Sequence, residues 1–197
     1  MGKIKTMLLG LLCVAMVLGI TGCVPSLQPL YTDEDLVTDS RLDGLWLEGE
    51  DLTTGKAKST WNFQKITDKQ AYEAILTQDG KTSRFSVHLV KLGGNLFMDT
   101  YPMEMNLESA NEYYKMHFIK GHIIARINFG EKNVLRVATL NYNWLARQYK
   151  DGKLTLPHEE VENQIILTGS IHELQQFLKE HGDDAFGEPI VLRRKRG

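Results

Sequence analysis

Cysteine is nearly absent from this chain: its 197 residues hold two, Cys13 and Cys23. Cys13 lies within an oily N-terminal run whose removal would leave Cys23 alone, so a mature chain has no internal disulfide, no thiolate-ligated zinc and no redox dithiol. Long apolar runs are missing too. The longest, TMLLGLLCVAMVLGI at residues 6–20, is shorter than the roughly 20 residues that a permanent spanning helix needs. Positive charge is not in excess, with 23 Lys and Arg against 25 Asp and Glu for a formal charge of -2, which weighs against nucleic acid as a partner. Catalytic signatures are lacking as well: there is no HExxH, no GxSxG, no SxxK and no glycine-rich loop followed by Lys-Ser/Thr.

What is present begins with Lys3 and Lys5, the apolar core, and then Ile20, Thr21, Gly22 and Cys23. A short basic region before an uncharged core is the physical pattern of an export signal, and VPSLQP behind it halts any helix at its prolines. The order Ile20-Thr21-Gly22-Cys23 resembles the lipobox of bacterial lipoproteins, in which the cysteine thiol receives diacylglycerol and becomes the new N-terminus. Two or more acyl chains hold a protein on a bilayer without a spanning helix. The resemblance therefore implies lipidation at Cys23, a signal peptide over residues 1–22, and membrane partnership through lipid. Val24, standing where an aspartate would retain such a protein, resembles the pattern of lipoproteins sent to an outer membrane where the cell has one.

Residues 23–42 contain two of the five prolines and the acids Asp33, Glu34 and Asp35, and read as a lipidated tether. Leu30, Tyr31, Leu36 and Val37 are able to pack on the body behind it. Residues 43–197 are long enough to bury one core and read as a single domain.

From Gly44 onward the texture is alternation of apolar and polar residues between turn signals, the pattern of half-buried antiparallel strands. GLWLEGE, STWNFQKI, AYEAILTQ, SRFSVHLVKL and NLFMDTY are five consecutive strand candidates, with hairpins expected at Asp79-Gly80 and Gly93-Gly94. PMEMNLESANEYYKMHF is compatible with a short helix or a loop, carrying Glu104, Glu108 and Glu112 on a solvated side. HIIARINFG and NVLRVATLN pair across Glu131-Lys132, NQIILTG is a strand, and EPIVLRR closes the domain before the basic end at Arg193, Arg194, Lys195 and Arg196. YNWLARQYKDG suits a short helix ended by Gly152. The clearer helix lies near 170–181, where Ser170 and Glu173 form a capping box and Ile171, Leu174, Phe177 and Leu178 make one apolar stripe. The fold class is mainly β: an antiparallel meander forming a barrel or strongly curved sheet, with two short helices.

Gly44-Leu45-Trp46, opening the first strand, is similar to the G-x-W start of lipocalin-like barrels, a resemblance that implies a tryptophan packed across the closed end. CVPSLQPLYT, LDGLWLE, HLVKLGGNLFMD and ELQQFLKEHGDDAF resemble a family of small, uncharacterised bacterial lipoproteins. That likeness implies a membrane-tethered domain and brings no chemistry with it.

Function is less legible. Trp46, Trp61, Phe63, Tyr72, Phe85 and Phe97 fall at inward strand positions and would line an apolar ligand pocket if the barrel has room, or fill its core if it does not. His88, His117, His122, His158, His172 and His181 show no compact ligand spacing, and the carboxylates Glu159, Glu160 and Glu162 beside His158 read as solvated loop residues. No catalytic residue, metal or cofactor is assigned. The terminal basic cluster is a candidate for contact with anionic lipid. The leading expectation is a non-catalytic, exported, membrane-anchored module binding a partner protein or an apolar small molecule. The alternatives are a hydrolase or metal-dependent enzyme assembled from dispersed histidines and carboxylates, and a structural envelope lipoprotein with a filled core.

Overall fold

The computed structural model describes residues 23–50, 56–104, 111, 113, 117–131 and 133–195. The expected signal peptide, most of the segment between the fifth strand candidate and HIIARINFG, and Arg196 lie outside them. The strands are β1 (Pro25–Ser26), β2 (Leu36–Val37), β3 (Gly44–Glu50), β4 (Ala57–Lys65), β5 (Tyr72–Gln78), β6 (Lys81–Leu92), β7 (Asn95–Pro102), β8 (His122–Gly130) and β9 (Val134–Thr139). After these come helix α1 (Tyr142–Lys150), strands β10 (His158–Val161) and β11 (Gln164–Leu167), helix α2 (Ile171–His181) and strand β12 (Ile190–Arg194).

Strands β3 to β9 run as a meander, and β12 inserts antiparallel between β9 and β3 while β8 pairs with β9, closing an eight-stranded antiparallel barrel. The antiparallel meander expected from the alternation therefore closes into a lipocalin-like barrel, accompanied by two short helices. Its turns follow the predicted chemistry: Asp79 and Gly80 have φ of 50° and 73°, and Gly93 and Gly94 of 55° and 87°. Two consecutive left-handed residues match the right-handed twist of a hairpin. The same sheet branches from the wall at β8, where β1 pairs antiparallel with β8 and parallel with β11, which in turn pairs with β10. The β10–β11 hairpin turns at Glu162-Asn163, both at positive φ. Glu159 and Glu160, expected as solvated loop residues, lie in strand β10 instead; the strand is mostly exposed and carries no apolar alternation to mark it.

Two apolar clusters divide the molecule. Inside the barrel lie Leu42, Trp46, Phe63, Tyr72, Val87, Leu89, Met98, Ile127, Leu135 and Leu192. Outside it, Val90, Leu92, Phe97, Ile124 and Leu140 of the wall meet Leu145 of α1, Leu174, Phe177 and Leu178 of α2, and Ile165 and Leu167 of β11. Strand β6 serves both: Val87 and Leu89 face in, whereas Val90 and Leu92 face out, because successive side chains alternate across the sheet. Burying each such side chain contributes about 1.5–3 kcal/mol.

The capping box of α2 forms as its sequence requires, with Ser170 N–H donating to Glu173 Oε2 at 2.8 Å and Glu173 N–H to Ser170 Oγ at 3.4 Å. The helix ends at His181 with Gly182 as its C-cap, in a right-handed conformation with φ of -48°. Glycine is needed there for space: a Cβ would stand 2.9 Å from the Leu178 carbonyl oxygen.

The tether reading of residues 23–42 needs correction. Val24, Ser26, Leu30 and Leu42 are buried, and β1 and β2 are hydrogen-bonded to β8 and β6. Four scattered residues have no period to betray them, yet each fills a gap that the body leaves. Among the described residues, burial therefore starts at Val24, directly beside the exposed Cys23.

Candidate functional site

The barrel interior is sealed at one end and accessible at the other. At the sealed end Trp46 is fully buried, donates from Nε1 to the Leu42 carbonyl at 2.8 Å, and is covered by the Arg194 guanidinium 4.6 Å from its ring. Arg194 also donates to the carbonyls of Arg41 and Asp43, and the hydroxyl of Tyr72 accepts from Asp39 N–H at 2.7 Å. Residues 39–43 are thus laid across the barrel end. Trp46 thus packs across the closed end of the barrel. Arg194, read in sequence as part of a basic tail free to meet lipid, instead holds this plug in place.

At the other end the inward side chains are more exposed. Trp61 and Phe85 are half-buried, Leu76 and Ile123 likewise, and Ile190 is 40 % exposed. Trp61 stacks on Phe63 at 5.9 Å and on Phe85 at 6.3 Å, and its Nε1 is buried with no hydrogen-bond acceptor among the protein groups. Beside this aromatic group Glu48 accepts from Ser59 Oγ at 2.7 Å and from Lys58 Nζ at 3.0 Å. Burial works to raise the Glu48 pKa, but the Ser59 hydrogen bond and the Lys58 ammonium outweigh it, and the carboxyl stays below its ordinary value. The accessible end therefore offers an apolar, aromatic lining with one unpaired donor and one ionised acceptor.

Of the six aromatics expected to line a pocket, Trp46, Trp61, Phe63, Tyr72 and Phe85 do face the interior. The first, third and fourth are packed as core, leaving Trp61 and Phe85 as lining. Phe97 faces outward, 5.8 Å from Phe186 in the layer between wall and helices. It lies one residue out of phase: Met98 holds the inward place opposite Leu89.

A second polar group, missed in sequence, lies on the outer wall beneath the N-terminal segment. Asp99, fully buried on β7, accepts from Leu30 N–H at 2.8 Å and lies 2.7 Å from His122 Nδ1. A carboxylate only accepts, so this contact places the imidazole proton on Nδ1. His88, directly opposite Asp99 in the ladder, stacks on Tyr31 at 4.4 Å, with its Nε2 3.5 Å from the Tyr31 hydroxyl. Burial pushes His88 below its ordinary pKa; Asp99 opposes this and His122 adds to it. Burial, then the charges of Asp99 and Asp33, push Tyr31 up to about 12. Three strands and the N-terminal segment bring these residues together, and only the outward parity of positions 88, 99 and 122 could have signalled it.

The remaining histidines have other company: His158 Nδ1 bonds the Leu156 carbonyl at 2.7 Å, His181 packs on Trp144 and Phe177, and His117 and His172 are exposed. Among the described residues no group of three His, Cys, Asp or Glu side chains is placed to hold a metal ion. No helix among them is long and apolar enough to cross a membrane. No protein-family model, no curated protein and no solved structure matches this chain.

Proposed function

We propose that this protein is an exported lipoprotein, anchored through Cys23, whose barrel receives an apolar small molecule or an apolar end of a partner at its accessible end. One observation carries the binding half of that reading: Trp46, Phe63, Tyr72 and Leu192 are buried inside the barrel, yet Trp61 and Phe85 are only half-buried, Ile190 is 40 % exposed, and the Trp61 indole N–H has no acceptor among the protein groups. Leaving a buried donor unpaired costs about 1–3 kcal/mol, and a ligand acceptor would recover it. The anchoring half rests on the Ile20-Thr21-Gly22-Cys23 order and on the exposure of Cys23. The absence of a spacer behind Cys23 would hold the barrel close to the bilayer, near a source of apolar ligands.

Native mass spectrometry of the protein isolated from membranes tests the first half. An adduct lost on Trp61→Ala supports it, whereas bare protein from several extraction conditions would favour a filled structural core. The protein must start at Cys23, because removing residues up to Ser40 would strip Val24 and Leu30 from the core. Cys23→Ser should abolish detergent-phase partitioning; unchanged partitioning would remove the anchor reading.

The enzyme alternative has the Asp99–His122 pair in its favour, a geometry that orients a general base. Against it stands Tyr31, the hydroxyl nearest His88, which at about 12 is held neutral rather than activated. The pair is better understood as holding Leu30, and with it the N-terminal segment, on the wall.

A further inference from the structure

A cleft of about 510 Å³ opens on the outer wall near the sealed end of the barrel, and Arg41, Arg126 and Arg136 all line it, together with Asn95, Asn128 and Asp183. The strand register explains the convergence. Asn128 stands opposite Arg136, and Arg126 opposite Ala138, so both arginines point outward from adjacent strands as diagonal neighbours. On the far side of β9, Val191 stands opposite Arg136 and Arg193 opposite Val134, which extends the line of guanidiniums onto β12. Like charges this close repel, and a protein of net charge -2 has no need of a basic stripe for solubility.

The guanidiniums are held to different degrees. Arg41 lies 4.6 Å over the Phe129 ring and donates to Asp39 through Nε at 3.0 Å and Nη2 at 2.6 Å, keeping Nη1 free. Arg126 lies 5.4 Å over Phe186 and uses Nη1 on the Gly182 carbonyl at 3.2 Å and on Asp183, a residue whose side chain is 93 % exposed. Arg136 passes over Gly130, where a Cβ would meet its Nη1 at 2.6 Å. Among the described residues neither the Arg136 nor the Arg193 side chain has an ion-pair or hydrogen-bond partner. Two arginines thus lie on aromatic faces, each also paired with a carboxylate, beside a third whose guanidinium has no partner among the described residues.

We propose that this cleft binds a phosphate-bearing ligand. A planar carboxylate is satisfied by one guanidinium fork, whereas a phosphoryl group presents oxygens on several sides, matching donors that approach from three segments. The shared chemistry has two sources for a lipid-anchored protein: a free phosphate ester or a phospholipid headgroup.

The test is isothermal titration of the protein isolated in detergent with inorganic phosphate and, separately, with glycerophosphoglycerol, the deacylated headgroup of an anionic lipid. Sodium chloride at matched ionic strength sets the reference. Saturable binding of either probe is expected, weakened about tenfold or more by Arg136→Ala, the scale of a charged hydrogen bond. Arg136→Lys should fall between, since it keeps the charge and loses the fork. Arg84→Ala, which removes an exposed arginine paired with Glu73 elsewhere on the barrel, should change nothing. Tighter binding of inorganic phosphate identifies a soluble ester as the ligand; tighter binding of the diester identifies the headgroup. Absence of saturable binding of both probes, or equal affinity in Arg136→Ala, overturns the proposal. Arg136 is exposed, so its variants should fold.

Discussion

The cluster inside the barrel and the cluster outside it are built from the same strands but by different means. The inner one is closed by a continuous ring of antiparallel pairs and finished by Trp46, Leu42 and Arg194. The outer one joins pieces far apart in sequence: the N-terminal segment, the wall, both helices and β11. Inside, apolar packing does nearly all the work. Outside, the join depends on buried polar groups, because a segment of scattered apolar residues needs its backbone fixed as well as its side chains buried. Asp99 supplies that fixing at Leu30, and Gln175 of α2 reaches the Leu30 carbonyl at 3.0 Å from the other side.

The largest effect should come from the inner cluster. Trp46→Ala removes a fully buried indole, its bond to Leu42 and the seat of Arg194, and should cost about 3–5 kcal/mol in urea unfolding. Trp61→Ala, at the accessible end, should cost well under half of that. Equal losses would mean that the two ends are packed alike, which would break the distinction on which ligand entry rests.

Asp99→Asn tests the outer join. The amide can keep one of the two acceptor roles, but the charge-assisted contact with His122 is lost, at a cost of about 2–3 kcal/mol. Hydrogen exchange should then speed up at Leu30, Leu36 and Val37 before it does so in β3 or β4, as a sub-global opening does. Uniform acceleration through the barrel would show that the N-terminal segment and barrel unfold as one unit.

Titration separates the clusters further. His88 has a lowered pKa through burial, so the unfolded chain binds its proton more readily, and stability should fall as pH drops through and below about 6.5. Tyr31 has the opposite sign. Its phenol is raised to about 12, so the stabilisation is present below the unfolded value of about 10 and is lost as pH climbs through about 10 to 12. Both losses belong to the outer layer. His88→Phe should flatten the acid limb and Tyr31→Phe the alkaline limb, read from urea midpoints across the pH range. Acid limbs that coincide in wild type and His88→Phe would place the sensitivity elsewhere.

The inner cluster was the legible one. Strand alternation from Gly44 to Tyr101, the Asp79-Gly80 and Gly93-Gly94 turns and the capping box of α2 are all local, and local chemistry is what a single chain displays. The outer layer was not. Leu42 reads as a tether residue because nothing periodic surrounds it, and Phe97 reads as inward because phase in a strand with apolar residues on both faces, LFM at 96–98, cannot be read without its neighbours. The Asp99–His122 pair and the arginine cleft depend on register between strands. A residue and its cross-strand partner carry no shared mark in sequence.

Ser170→Ala should have the smallest effect and gives the sharpest view of how the outer layer holds together. The serine caps α2 reciprocally with Glu173, and losing such a cap costs about 1 kcal/mol. If α2 is stabilised mainly by Leu174, Phe177 and Leu178 against the wall, that loss should spread over the whole layer and shift the global urea midpoint slightly, with no separate transition. If the cap instead maintains the first turn alone, exchange should rise only at residues 171–174 and the midpoint should stay. The first outcome is expected, because Gln175, one turn after the cap, hydrogen-bonds both the Leu30 carbonyl and Asp35. Fraying that reaches Gln175 therefore loosens the N-terminal segment too.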